Sequence, residues 1–127
     1  MMCWWYNMLL YISSAMTDYE HNNFDKFFEV EDILKNKGYD VINPAMISIK
    51  MINEKYFLNV DRKNFKDFYD YFNKISREEY LNEDVKELVK CDGIVMFGDW
   101  QKSKGATFEL KVAKEIGKKI YTLMENW

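Results

Sequence analysis

The chain has 127 residues, 48% of them hydrophobic and 31% charged, with a net charge of −3. That length suits one domain with a core of its own, without staples. Lys and Arg are interspersed among Asp and Glu with no basic stripe, which argues against long nucleic acid as a partner, while a small anionic ligand remains compatible with local backbone N–H groups.

The chain opens on Met1-Met2-Cys3-Trp4-Trp5-Tyr6 and continues into the apolar run Met8 to Ile12. Ile12-Ser13-Ser14-Ala15 has the look of a cleavage site, but no Lys or Arg precedes it, and the apolar stretch is too short to span a bilayer. It reads as a buried parallel strand with an aromatic lead-in, ending in a polar loop from Ser13 to Thr17. Cys3 and Cys91 are isolated thiols without metal-like spacing, which predicts reduced cysteines in a cytoplasmic protein, with Cys91 packed. No metal, cofactor or membrane partner is expected.

After Asn22-Asn23, apolar residues at Phe24, Phe27, Phe28, Ile33 and Leu34 recur at helical spacing and stop at Gly38, a C-cap residue. Tyr39 to Ile42 reads as a second strand closed by Asn43-Pro44, completing a right-handed strand–helix–strand unit. From about 45 to 75 this rhythm is interrupted. Phe65, Phe68, Tyr69 and Phe72 form an i, i+3, i+4, i+7 stripe on an inserted helix. The stripe reads as core or subunit interface, or else as a lid over a ligand pocket.

Ser76 and Glu79 form a capping box that opens a helix to about Lys90, followed by a strand from Asp92 to Phe97. A loop from Gly98 to Lys102, a helix from Gly105 to Gly117 and a last strand from Lys118 to Leu123 complete the chain. This alternation predicts one α/β domain over 1–127, three-layered and Rossmann-like, with a small, mostly parallel sheet of four to five strands. The aromatic stripe and the Trp-rich start exceed what so small a core needs, which predicts a homo-oligomer, a dimer or higher.

Ligands of such sheets bind beyond the carboxyl ends of the strands. Three loops meet there: the Ser13, Ser14 and Met16 segment, Asn43-Pro44, and Gly98 through Gly105 with Asp99, Trp100 and Ser103. Ser103-Lys104-Gly105-Ala106-Thr107-Phe108-Glu109 is the most informative stretch, because a small-residue loop running into a helix holds anionic or sugar groups on free N–H groups. Glu109 then faces whatever the loop holds, Tyr11 points its hydroxyl into the crevice, and Asp84 lies on the helix after Ser76, up to a turn farther along. Two carboxylates with hydroxyls around them suit cleavage of a glycosidic bond, one attacking the anomeric carbon while the other helps protonate the leaving group. A Glu near a helix start also serves the helix dipole, and a lone helix Asp is commonly solvated. His21 reads as a solvated loop residue, Asp92 as structural, and Trp100 as stacking a base or covering the core. Lys102 and Lys104 are candidates to draw in a phosphate.

Tyr11-Ile12-Ser13-Ser14-Ala15-Met16-Thr17, Asn23-Phe24, Gly38 to Pro44, Asp84, Cys91-Asp92, Gly98-Asp99-Trp100 and Ser103-Lys104-Gly105-Ala106…Glu109 occur in that order. The set resembles a phage-rich family of pattern YISGPMTG…NF…GY.V.NPA…D…CD…GW..S.GA..E. That family is similar to the nucleoside 2-deoxyribosyltransferases and the 2'-deoxynucleoside 5'-phosphate N-hydrolases. The resemblance covers nearly the whole chain except the aromatic insertion. It implies a small nucleoside or nucleotide ligand, Glu109 as nucleophile, Asp84 as its helix partner and Tyr11 as the strand-end tyrosine beside them. By the same resemblance Ser103 touches a 5'-phosphate, Ser13 and Ser14 cradle the sugar or phosphate, and Glu125-Asn126-Trp127 complete a neighbouring subunit's pocket. The location implied is cytoplasmic, in the host if phage-encoded. Ser14-Ala15 stands where Gly-Pro is usual, Asp18 where Gly is usual, and Asp99 is an extra residue between Gly98 and Trp100. These departures keep a second reading open, a phage-type nucleotide sponge that binds without turnover, and a third, a scaffold with a vestigial pocket.

Overall fold

The structure, a computed structural model, describes residues 7–124. The Trp-rich lead-in with Cys3 and the Glu125-Asn126-Trp127 segment lie outside the described residues. Four strands, β1 (Leu9–Ser13), β2 (Asp40–Ile42), β3 (Gly93–Phe97) and β4 (Lys119–Leu123), form one sheet in the order β2-β1-β3-β4. Every pairing is parallel, with Tyr11 level with Ile42 on one side and Ile94 on the other. This is the α/β, Rossmann-like architecture expected. The order reverses at β1: the chain leaves it toward β2 and later returns to its other side as β3. The crevice at the carboxyl ends of β1 and β3 is therefore the topological switch point, where such sheets bind ligands.

Period-two alternation gives β1 two different faces. Leu10 and Ile12 join Val95 and Phe97 against the first helix, α1 (Phe24–Asn36), through Phe24, Phe27, Phe28 and Leu34. Tyr11 faces the opposite core with Ile94 and Met96, under α4 (Arg77–Lys90) and α5 (Lys104–Glu115). Cys91 is buried in that second core, as expected. No helix among the described residues is long and apolar enough to cross a membrane.

The segment after β2 departs from the expected single inserted helix. Asn43-Pro44 does not merely close β2; it opens α2 (Pro44–Tyr56). Asn43 Oδ1 accepts from the Ala45 N–H at 2.9 Å, and Pro44 occupies the first helical position, where its missing N–H costs nothing. The aromatic stripe follows as a 3-10 turn (Phe65–Phe68) and a single turn, α3 (Tyr69–Phe72). Phe65 and Phe72 are buried against Phe24, with ring centroids 5.5 and 5.2 Å away, so this part of the stripe fills the core. Arg62 ties the segment to α1 through a two-pronged pair with Asp32 at 3.0 and 2.9 Å and by lying over the Phe28 ring.

Candidate functional site

Tyr11 and Ser13 are two residues apart on β1 and therefore share the face that α5 covers. Both reach one carboxylate. The Tyr11 hydroxyl donates to Glu109 Oε2, and Ser13 Oγ donates to Glu109 Oε1 at 2.7 Å. Both residues are fully buried, and Glu109 is 6% exposed. Neither donor lines the cavity; they hold Glu109 from behind, leaving each oxygen a further lone pair for the pocket. Ser13 is thus no part of a ligand cradle, because β1 runs one residue farther than its apolar run and carries Ser13 into the core.

In front of Glu109 lies a cavity of about 310 Å³. Asp84, Ser14, Met16, Ser103, Gly105 and Ala106 line it together with Glu109, as the sequence led one to expect. Burial lifts the Glu109 carboxyl from its ordinary 4.5 to about 7, while the Tyr11 and Ser13 hydroxyls pull it down by favouring the anion. Asp84 is raised further, from 3.8 to about 9, first by burial and then by the charges of Glu109 and Glu83. At neutral pH Asp84 therefore carries a proton while Glu109 is poised to ionise. Asp84 Oδ1 is buried without a hydrogen-bond partner among the described residues, an orphan that a bound group in the cavity would satisfy. Burial, then Glu109 and Asp84, push the Tyr11 phenol well above its usual value, so it remains a donor.

The cavity mouth is shaped by two interlocked loops. Ser14 Oγ donates to the Phe97 carbonyl at 2.5 Å, and a Cβ at Gly98 would sit 3.0 Å from that same Oγ. Gly98 also has φ +59, so a side chain there would be both strained and crowded. Ser103 caps α5 by accepting from the Ala106 N–H at 3.0 Å, and the first turn of α5 opens onto the cavity. Asp18, where the pattern has glycine, keeps a left-handed backbone at φ 71.

Asn43, Asp99 and Trp100 were expected at the ligand and do not line this cavity. Asn43 Nδ2 donates to Glu31 Oε1 at 2.9 Å while its carbonyl caps α2, so both ends are spent on the fold. Asp99 accepts from the Tyr19 hydroxyl at the surface, and Trp100 packs on the second core, the covering role of its two readings. His21 is not simply solvated: its ring stands edge-on to Tyr69 and Phe65. Asp92 is structural as expected, Oδ2 accepting from the Leu9 N–H at 2.8 Å. Lys102 and Lys104 do not line the cavity.

Arg77 does line it, and was missed. Its Nη2 lies 3.7 Å from where a Cβ on Gly105 would stand, beside the start of α5. Arg77, Tyr80, Leu81 and Asp84 are spaced i, i+3, i+4, i+7 and all face the cavity, a periodicity present in the sequence. The apolar lining comes from Phe24, Phe27, Pro44, Phe72 and Ile75, with the polar Asn22, Ser48 and Asn73 on the same segments.

A family model for a domain of unknown function, DUF4406, matches residues 8–70 and 71–122. The chain belongs to the DUF4406 family. The junction of the two matched stretches falls inside α3, in the aromatic segment. In DUF4406 terms the matched region contains every cavity residue named above. No curated protein matches the chain. Among the described residues, no three His, Cys, Asp or Glu side chains come together as a metal-holding group.

Proposed function

We propose that this DUF4406 protein breaks the N-glycosidic bond of a nucleoside or nucleotide with Glu109 as nucleophile and Asp84 as proton donor. The observation that carries the reading is one cavity with two carboxyl groups whose environments separate their protonation, Glu109 about 7 and Asp84 about 9. Ionised Glu109 attacks the anomeric carbon, the C–N bond electrons leave with the base, and Asp84 delivers its proton to that base. Asp84, now a carboxylate, takes a proton from the water that opens the glycosyl ester, which restores both groups. Transfer to a second base in place of water makes the same site a transferase. The resemblance of the sequence motifs to those of the nucleoside 2-deoxyribosyltransferases is in keeping with this reading, and Arg77 beside the α5 start supports a ligand bearing phosphate.

The test incubates the protein with nucleosides and nucleoside 5'-monophosphates and measures free base by chromatography. Wild type releases base from at least one member, and Glu109→Gln lowers release by about a thousandfold or more while still shifting the melting temperature with that ligand. Undiminished release in Glu109→Gln removes this carboxylate from the mechanism. Recovery of the ligand intact and tightly bound points instead to a sponge.

A further inference from the structure

We infer that Asn22 reads the base of the bound ligand by donating its amide N–H group to a ring carbonyl, so that the pocket prefers oxo-bases to their amino counterparts. The inference rests on the nucleotide reading above and names the specificity of that same site.

Asn22 lines the cavity, as does Phe24 two residues along. It sits in an unusual backbone: His21, Asn22 and Asn23 take φ 49, 56 and 65 in succession, a left-handed turn without a glycine. L-residues adopt that conformation at a cost, with Asn, Asp and His the more tolerant types. Several contacts hold it. The Asn22 N–H donates to the Tyr19 carbonyl at 3.1 Å, and Asn23 Nδ2 donates to the Ala15 carbonyl at 3.0 Å. The His21 ring stands edge-on to Tyr69 with centroids 5.1 Å apart. A turn held in a costly conformation at a pocket wall is a place to look for a recognition role.

The side chain has one long polar contact. The Tyr69 hydroxyl donates to Asn22 Oδ1 at 3.4 Å. With Oδ1 turned to Tyr69, Nδ2 has no hydrogen bond among the described residues and is the donor left available to a ligand. Phe24, Phe72 and Ile75 supply apolar lining, the Phe24 and Phe72 rings set edge-on to each other at 86°, and this suits the apolar faces of a heteroaromatic ring, whereas Asp84, Glu109, Ser103 and Arg77 supply the polar lining that suits sugar and phosphate. A base lying against the apolar lining meets the Asn22 amide at its edge. A carbonyl there gains a hydrogen bond, and an amino group meets a second donor and is rejected. The aromatic segment after α2 thereby acquires a role: through Tyr69 it positions the residue that selects the base.

Binding constants measured by calorimetry in Glu109→Gln protein, which cannot turn ligand over, test this without depending on catalysis. The probes are two matched pairs, inosine against adenosine 5'-monophosphate and uridine against cytidine 5'-monophosphate. The oxo member of at least one pair should bind about tenfold more tightly. Adding Asn22→Asp, which keeps size and tolerance of the left-handed turn but removes the donor, should cancel or invert that preference. Asn22→Gly, which accepts the backbone and deletes the amide, should flatten it. Tyr69→Phe frees the carbonyl end and should narrow the preference, marking Tyr69 as a positioning residue. An oxo preference unchanged by Asn22→Asp and Asn22→Gly, no preference in either pair, or no binding of any probe overturns the assignment. A preference that obeys Asn22 in a protein whose wild type releases no base upholds it and counts against the glycosidase reading alone.

Discussion

Replacing Asp84 by Asn should change how stability depends on pH, by an amount the structure specifies. A carboxyl raised from 3.8 to about 9 on folding is protonated in the folded chain at pH values where the unfolded chain has released its proton. Its favourable contribution is complete below pH 3.8 and is lost steadily as pH rises toward about 9. Between 3.8 and 7 lie about three pH units, and at about 1.4 kcal/mol per unit the loss by pH 7 is about 4 kcal/mol. That is a large share of the roughly 5–15 kcal/mol of a typical domain. Asn has nearly the same shape and does not titrate, so the variant escapes the loss. Glu109 imposes a smaller loss of the same sign, but it is common to both proteins and cancels in the comparison. Urea titrations from pH 4 to pH 8 should show the variant gaining on wild type, from under about 1 kcal/mol at pH 4 to about 4 kcal/mol at pH 7, above any constant offset. Parallel curves would refute the reasoning, since they would mean that Asp84 titrates alike in the folded and unfolded chains.

The rate of base release should follow a bell, rising as Glu109 ionises near pH 7 and falling as Asp84 loses its proton near pH 9; a rising limb near pH 4 would contradict the burial of Glu109. Ser13→Ala removes a donor that favours the Glu109 anion, so the acid limb of kcat/KM should move upward by about one pH unit. An unmoved limb would show that Ser13 does not tune this group. Arg77→Ala should raise KM about tenfold for a nucleoside 5'-monophosphate and leave the unphosphorylated nucleoside unaffected. Equal effects on both would assign Arg77 to the pocket's shape rather than to phosphate.

Much of the framework was legible because parallel strands buried on both faces appear as unbroken apolar runs between polar loops, as in Gly93–Phe97. The α2 helix was obscured by Asn43-Pro44, which resembles a stop after a strand; the same pair is also a helix start, and only the Asn43 bond to Ala45 decides between them. Glu109 and Asp84 were readable from the Gly105 loop and the Ser76 helix. Ser13 was placed one layer too far out, since a single-residue shift in a strand end moves a side chain between core and loop. Asp99 and Trp100 lie at the right edge of the sheet, yet the short turn after β3 directs them to Tyr19 and to the second core. Asn22 carried only a weak local signal, a His-Asn-Asn run of residue types that tolerate a left-handed turn without glycine, and its place at the cavity depends also on Tyr69 far along the chain.

Intact-mass spectrometry of protein acid-quenched within its first turnovers, followed by peptide mapping, addresses the Glu109 ester itself. Wild type should gain the mass of one sugar, or sugar phosphate, on the peptide containing Glu109, with one free base released per adduct, and Glu109→Gln should gain nothing. Base released by wild type with no adduct on that peptide, or the same adduct in Glu109→Gln, would contradict the account.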